Sequence, residues 1–429
     1  MAATSLLDTA ERALALMRAQ GFHHAQVGAS RTAHDEVNFA HDEPSLLRST
    51  STQKLSLLGI VDARRASTEL TAFDEPSLRE RIAALFADAS AAPQDDANAV
   101  SSGQRADIVQ GPQHGERDVL ADKVRELLDF RARATPQFRL EEGYAAHTLL
   151  QARVLTSGGS DLACSAGWYS MSAAGTARDG RAASSFAFGG GTAHALAATP
   201  AEQLFGLGDM LRDTVRQIHT RPLGDKFVGE VLLTPGAVED LLQWLHGQIG
   251  DLHLIAGSSL YRDKVGQRVA SPLLTLASRF DAPGVVALSA DAFVAPPLEV
   301  LRAGVLNALT PSFYGSRKTG LPHVPVAAGG GWQLAAGDTP LPQMVSGVSR
   351  GALVGRLSMG APAANGDFSG VIKNSFLIEH GEVGPALAET MISGNMARML
   401  LDVSAVSRER RDTGALLLPW LRVGGLHFS

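Results

Sequence analysis

The chain has 429 residues, too many for one ordinary hydrophobic core, so two or three domains or subdomains are expected. Its 45% apolar and 19% charged residues exclude a disordered chain, and a net charge of −6 argues against a nucleic-acid surface. No apolar run approaches membrane-spanning length, and Asp8 and Glu11 interrupt the apolar core that a secretion signal would need.

In chain order, Ser5 can cap a helix whose buried face is Leu7, Ala10, Leu14 and Met17, with Gly21 as its stop. Alternating segments at 25–27, 36–39, 46–49 and 55–61 read as a small antiparallel sheet with polar turns between strands. A second helix opened by Pro76 and Ser77 buries Leu78, Ile82, Leu85 and Phe86. The segment 89–113 is rich in Ala, Ser, Asp, Pro and Gly without periodicity and reads as a linker. A first α+β subdomain is therefore expected over 1–105.

Glu116 to Ala134 is helical again, with Leu120, Val124, Leu127 and Leu128 on one face. Strands are expected at 138–140, 148–155, 164–172 and 184–188. Cys164, the single cysteine, excludes an internal disulfide framework, suits a reducing cytoplasm and reads as a buried small apolar residue. Thr199-Pro200-Ala201-Glu202 is a helix start, and that helix buries Leu204, Leu207, Leu211, Val215 and Ile218 before Pro222. These elements make a second α+β subdomain over 106–221.

From Phe227 onward apolar strands are broken by Gly and Pro, and the 44 glycines of the chain fit a sheet-rich region with many turns. One helix interrupts them, from Pro235 to about Ile249, with Val238, Leu241, Leu242 and Leu245 buried. The fold class expected is α+β, ending in a β-rich domain over 222–429. Arg408 to Arg411, interrupted by Glu409, reads as a solvated helix end.

Residues able to carry chemistry are sparse. His246 and His253, with Asp251 between them, sit two helical turns apart, too far to share a metal; they read as surface or interface histidines. His34 and His41 flank a strand and read as solvent-facing, and His23-His24 follow a helix stop, where a polar ring is favoured. Gly347-Val348-Ser349-Arg350-Gly351 has the form of a nucleophile elbow, but its downstream flank reads as a strand where an elbow needs a helix. Gly189 to Gly191 lacks the residues of a phosphate loop. Gly329 to Gly331, before Trp332, reads as a mobile loop or as a flexible wall over a peptide channel.

The most informative stretch is Met359 to Asp402. Asn365-Gly366-Asp367 is a turn, Phe376-Leu377-Ile378 a strand, Glu379-His380-Gly381-Glu382 a second turn, and Asn395 a cap for a short helix with Met396, Met399 and Leu400 on one face. The run GDFSGVIKNSFLIEHGEV, the later ETMISGNMARML and the closing Leu418 to Val423 together resemble the TldD/PmbA family, in its PmbA (TldE) branch.

The resemblance implies the non-catalytic subunit of a two-chain zinc metalloprotease. A TldD-like partner would hold zinc through a helical His-Glu-x-x-x-His motif and cleave unfolded peptides or peptide precursors in the cytoplasm. This chain has neither that motif nor His-Glu-x-x-His. Aligned on Leu241-Leu242, its helix offers Gln243, Trp244 and Gln248 where the motif would fall, and Leu357 to Ser369 lacks the family's cysteine ligand. No catalytic or metal-binding residue and no cofactor are therefore expected in this chain, and no nucleic acid or membrane as partner. Tyr261, Arg262, Trp332, Phe368 and Phe376 are the candidates for lining a peptide channel or subunit interface, and the isolated chain could form an inactive homodimer. The rival readings are a stand-alone hydrolase using Ser349 or an unforeseen site, and a homodimeric peptide-binding protein without protease activity.

Overall fold

The computed structural model describes residues 5–429 and shows an α+β fold built on two sheets. Helix α1 (Leu6–Gln20) opens with the expected cap: Ser5 Oγ accepts from the Asp8 N–H at 3.0 Å, and Asp8 accepts in return from the Ser5 N–H. Gly21, at φ 104°, closes it. Ala10, Leu14 and Met17 are buried as expected, whereas the side chain of Leu7 lies outside the described part of the molecule.

The strands that follow are much longer than the sequence suggests. The expected pieces 25–27 and 36–39 are one strand, β1 (His24–Ala40), and 46–49 and 55–61 are one strand, β2 (Glu43–Val61). The turns lie elsewhere: His41-Asp42 joins β1 to β2 and Asp62-Ala63 joins β2 to β3 (Arg64–Leu70), all four residues at positive φ. Neither turn holds the glycine that normally announces this geometry. At the first, Asp42 is held by Arg131 at 2.7 Å and by the Leu140 N–H at 2.8 Å, contacts that support its left-handed backbone.

Helix α2 (Glu75–Ala91) is capped by Asp74, one residue before the expected opening. The expected linker then holds a strand, β4 (Arg105–Gln110), which has little burial of its own and gains its pairing from a parallel neighbour. After α3 (Arg117–Ala134) come two more long strands, β5 (Phe138–Thr156) and β6 (Asp161–Asp179), then β7 (Ala182–Ala183) and β8 (Ala187–Ala193). The order is β3-β2-β1-β5-β6-β4, with β7 and β8 also on β6. Strands from both expected N-terminal units thus share one sheet, because β1 pairs with β5 along nearly its whole length. Val27, Val37 and Phe39 of β1 face α1, α2 and α3, and the opposite face turns toward the C-terminal residues.

The helix expected from Thr199 starts later. Gly206 sits at φ 77° after a short 3-10 turn, and only Leu207–Arg216 (α4) is helical. Leu204, Leu207, Leu211 and Ile218 are still buried, so the apolar pattern holds although the cap does not.

In the second sheet, after β9 (Thr220–Arg221), β10 (Phe227–Leu233) lies between Leu416–Phe428 and Arg350–Val354, antiparallel to the first and parallel to the second. Helix α5 (Pro235–Ile249) has the predicted bounds and buries Val238, Leu241, Leu242 and Leu245 against that sheet. The short α6 (Asp251–Ile255) follows it. Arg408 to Arg411 belong to the strand Val403–Asp412 and not to a helix end; pairing with Leu416–Phe428 overrides the local charge pattern.

Candidate functional site

Two cavities flank α5. The larger, about 1020 Å³, lies between the two sheets. Tyr144, Ser170 and Ser172 from the N-terminal sheet line it, with Gly190 of β8, the first turn of α5 at Pro235-Gly236, and Glu239. The glycines of β8 keep φ out of the left-handed region; what they supply is close approach. A Cβ on Gly191 would sit 2.6 Å from Phe205 and from the Thr413 carbonyl oxygen. The smaller cavity, about 560 Å³, runs along the outer side of α5 between Asp240, Gln243 and His253 and the loop from Arg356 to Pro362.

The acidic pair at the start of α5 stands between these spaces. Burial raises the Glu239 carboxyl above its usual range. Burial likewise pushes Asp240 up to about 6, with Glu239 adding to the effect, although Asp240 accepts the Leu357 N–H at 3.0 Å and faces Arg356. Arg356 in turn lies over the exposed ring of Phe188, 5.3 Å from its centroid, so β8 and the C-terminal domain meet beside the pair. The sequence gives no sign of this: an acidic pair in a helix's first turns looks like ordinary complement to the helix dipole.

Further along α5 the side chains pack. Gln248 is wholly buried; its Oε1 accepts the Leu260 N–H at 2.9 Å and its amide nitrogen donates to the Ala364 carbonyl. Trp244 is buried edge-on against Tyr261. Gln243 is exposed and donates to Glu239. Gln243 and Gln248 point roughly 140° apart around the helix at 100° per residue, one into the smaller cavity and one into the core. His246, read as a surface or interface histidine, is half-buried with its ring tilted against Trp332, centroids 4.2 Å apart, and burial lowers it to about 4. His253 bonds Ser258 Oγ and does not approach it as a co-ligand.

The channel and interface candidates fall largely in the core. Tyr261, Trp332 and Phe368 belong to one C-terminal cluster, and Phe376 is buried beneath Arg216 of α4. Only Arg262 is half-exposed, and it donates to the Leu254 and Thr319 carbonyls. In this chain these residues pack and brace; none lines either cavity.

In the Met359 to Asp402 stretch the strand at Phe376–Glu379, the turn after it and the helix cap fall where expected, and three further strands, Asp367–Lys373, Glu382–Leu387 and Thr390–Asn395, join them. Asn395 caps Met396–Leu401 through the Arg398 N–H at 3.0 Å, while its amide donates to the Asn365 carbonyl and to Asp367. Asn365 closes the set on Asp367, whose carboxyl these amides hold below its usual range. Gly366, at φ 90°, lies against Trp244, where a Cβ would sit 3.1 Å from the ring. The turn is thereby locked to both the helix cap and α5. Residues 228–429 match the PmbA/TldA metallopeptidase C-terminal domain.

That match covers just under half of the chain. The whole chain shares its fold with three solved structures. A proposed modulator of DNA gyrase from Bacteroides thetaiotaomicron superposes with a TM-score of 0.85 at 20% identity, over 100% of both chains. TldE from Thermococcus kodakarensis gives 0.81 at 18% identity, over 98% of this chain and 100% of that one. A proposed modulator of a DNA gyrase from Thermotoga maritima gives 0.78 at 15%, over 99% and 100%. No curated protein matches the sequence.

A metallopeptidase domain implies a metal, and the donors on α5 do not fit one. Gln248 has committed both amide atoms to backbone, an indole offers no lone pair to a metal, and Gln243 faces away. Among the described residues no group of three His, Cys, Asp or Glu side chains is placed to hold an ion. Cys164 is buried against Leu162, Ala166 and Val286, as a small apolar residue would be. Ser349 precedes the strand Arg350–Val354 and follows the helix Leu341–Ser346, the reverse of the strand-to-helix order of a nucleophile elbow.

Proposed function

We propose that this chain is the non-catalytic subunit of a two-chain, TldD/TldE-type zinc metallopeptidase acting on unfolded peptides in the cytoplasm. The observation that carries the reading is the state of α5: the helix keeps its place in the metallopeptidase domain while its inward positions Trp244 and Gln248 are given to packing. On this reading the partner brings zinc and the hydrolytic base. The chain contributes the cleft between its sheets, whose polar floor at Tyr144, Ser170 and Ser172 suits an extended peptide held through its backbone.

The test is reconstitution. The chain, purified without a metal-affinity tag, should retain no stoichiometric zinc after dialysis and cleave no peptide alone. Mixed with a TldD-like chain bearing His-Glu-x-x-x-His, it should co-elute on size exclusion and give chelator-sensitive cleavage. One zinc per chain, or cleavage by this chain alone, would overturn the reading.

A further inference from the structure

We infer that the larger cavity selects a basic side chain, lysine or arginine, of the peptide in the cleft, with Glu239 as the residue that recognises its charge. This rests on the peptide-binding reading above and adds a preference to it. Three charged residues line the cavity: Glu142, Glu239 and Arg411. Arg411 is already answered, lying over Trp420 and 3.5 Å from Asp209. Among the described residues no lysine, arginine or histidine pairs with either glutamate, so the cavity presents two uncompensated carboxylates.

Glu239 is the deeper of the two. It is half-buried, whereas Glu142 is exposed at the cavity's edge. Its Oε1 accepts a long bond of 3.4 Å from Gln243, and its Oε2 accepts none. Burial works against a charge held this way, and a cation brought by the ligand supplies the missing partner. Asp240, the next residue, does not compete for that cation. It lines the smaller cavity, where it faces Arg356 and accepts the Leu357 N–H.

The cavity wall suits the rest of such a side chain. Phe186 and Phe188 both line it, 42% and 61% exposed, although rings of that size are normally withdrawn from water. Lysine and arginine carry an apolar stem behind a charged head. The stem gains cover from the two rings while the head goes on to the carboxylate, and a ring face also attracts the cation itself. A neutral side chain of the same length gains the cover alone, and an acidic one meets two like charges. The amino terminus of a peptide carries the same charge as lysine, so the two sources have to be separated by the probe.

The probes are unstructured Gly/Ala/Ser peptides, acetylated at the amino end and carrying a fluorophore at the carboxyl end, that differ in one central residue. Binding to the full chain is read by fluorescence anisotropy. The lysine and arginine peptides should bind about tenfold tighter than the glutamine peptide, the scale of one hydrogen bond to a charged group, and the glutamate peptide more weakly than all three. The net charge of −6 attracts cations everywhere on the chain, so the deciding readout is a single residue. Glu239→Gln keeps the shape of the side chain and should bring the lysine and glutamine peptides to the same affinity, with an unchanged circular dichroism spectrum. Glu142→Gln, in the exposed position, should reduce the preference by no more than about twofold. A glutamine peptide with a free amino terminus should bind no tighter than its acetylated form. Equal affinity for lysine and glutamine, a preference that survives Glu239→Gln, or capture of the free amino terminus would overturn the inference and leave the cleft a peptide site. Failure of every peptide to bind would overturn the inference and the peptide reading together.

Discussion

The two sheets solve the same burial problem differently. The N-terminal sheet uses four strands of 17 to 19 residues with helices on one face, and its helix-facing core divides into two clusters separated along the strands. The C-terminal sheet uses many short strands, but these close around one large cluster centred on α5 and Leu416–Phe428. Strand length and core continuity therefore run opposite ways. Long strands leave stretches such as Glu43 to Lys54 bare over twelve residues, while the short strands bury most of their apolar residues and expose single ones such as Val228 and Met391.

The largest test of this contrast is Trp244→Ala. Trp244 is buried among Tyr261, Gly366 and Phe368, so truncation should cost about 3–5 kcal/mol, the range for a large aromatic in a packed core. Chemical denaturation followed by tryptophan-independent circular dichroism measures it. The matching change in the bare strand, Thr52→Ala, should stay within about 0.5 kcal/mol in the monomer. Equal costs at the two sites would erase the distinction.

A second test is pH. Asp240 is raised to about 6 by burial, above the ordinary aspartate value near 3.9. The folded chain then holds a proton between about pH 4 and pH 6 that the unfolded chain has released, so this group's contribution to stability falls as pH rises through that window. Asp240→Asn keeps an oxygen for the Leu357 N–H and has no charge to desolvate. Its melting temperature relative to the parent chain should therefore climb between pH 4 and pH 7. A difference that stays flat across the window would place Asp240 in water.

The same contrast explains what could be read from the sequence. In the C-terminal half the turns carry their own chemistry. Asn365-Gly366, His380-Gly381 and the Asn395 cap each name a backbone geometry, so strands, turns and helix were readable in order, as was α5 from its 3.6-residue apolar spacing. In the N-terminal half the long strands cross solvent, where Ser and Thr show no alternation, and their hairpins turn on His41-Asp42 and Asp62-Ala63 without glycine. Pairing between distant strands supplies the information that local pattern lacks. For the same reason the acidic pair at Glu239 and Asp240 was invisible: its burial comes from β8 and the Arg356 loop, far away in sequence.

The smallest expected effect concerns Ser349, the residue whose surroundings most resemble a catalytic motif on paper. Its side chain is exposed, and what the structure uses is its backbone: the carbonyl accepts the His380 N–H at 2.8 Å where the Phe376–Glu379 hairpin begins to turn. Ser349→Ala keeps that carbonyl, and strand geometry favours neither residue strongly. Stability should therefore change by no more than about 0.5 kcal/mol. Cleavage by the reconstituted two-chain complex should be unchanged within about twofold. Removal of a true nucleophile costs orders of magnitude more in turnover, so the two possibilities are widely separated. A folded Ser349→Ala chain that silences the complex would make the Gly-x-Ser-x-Gly run a site in its own right, and the C-terminal half would then hold chemistry that its strand-after-helix order gives no means to activate.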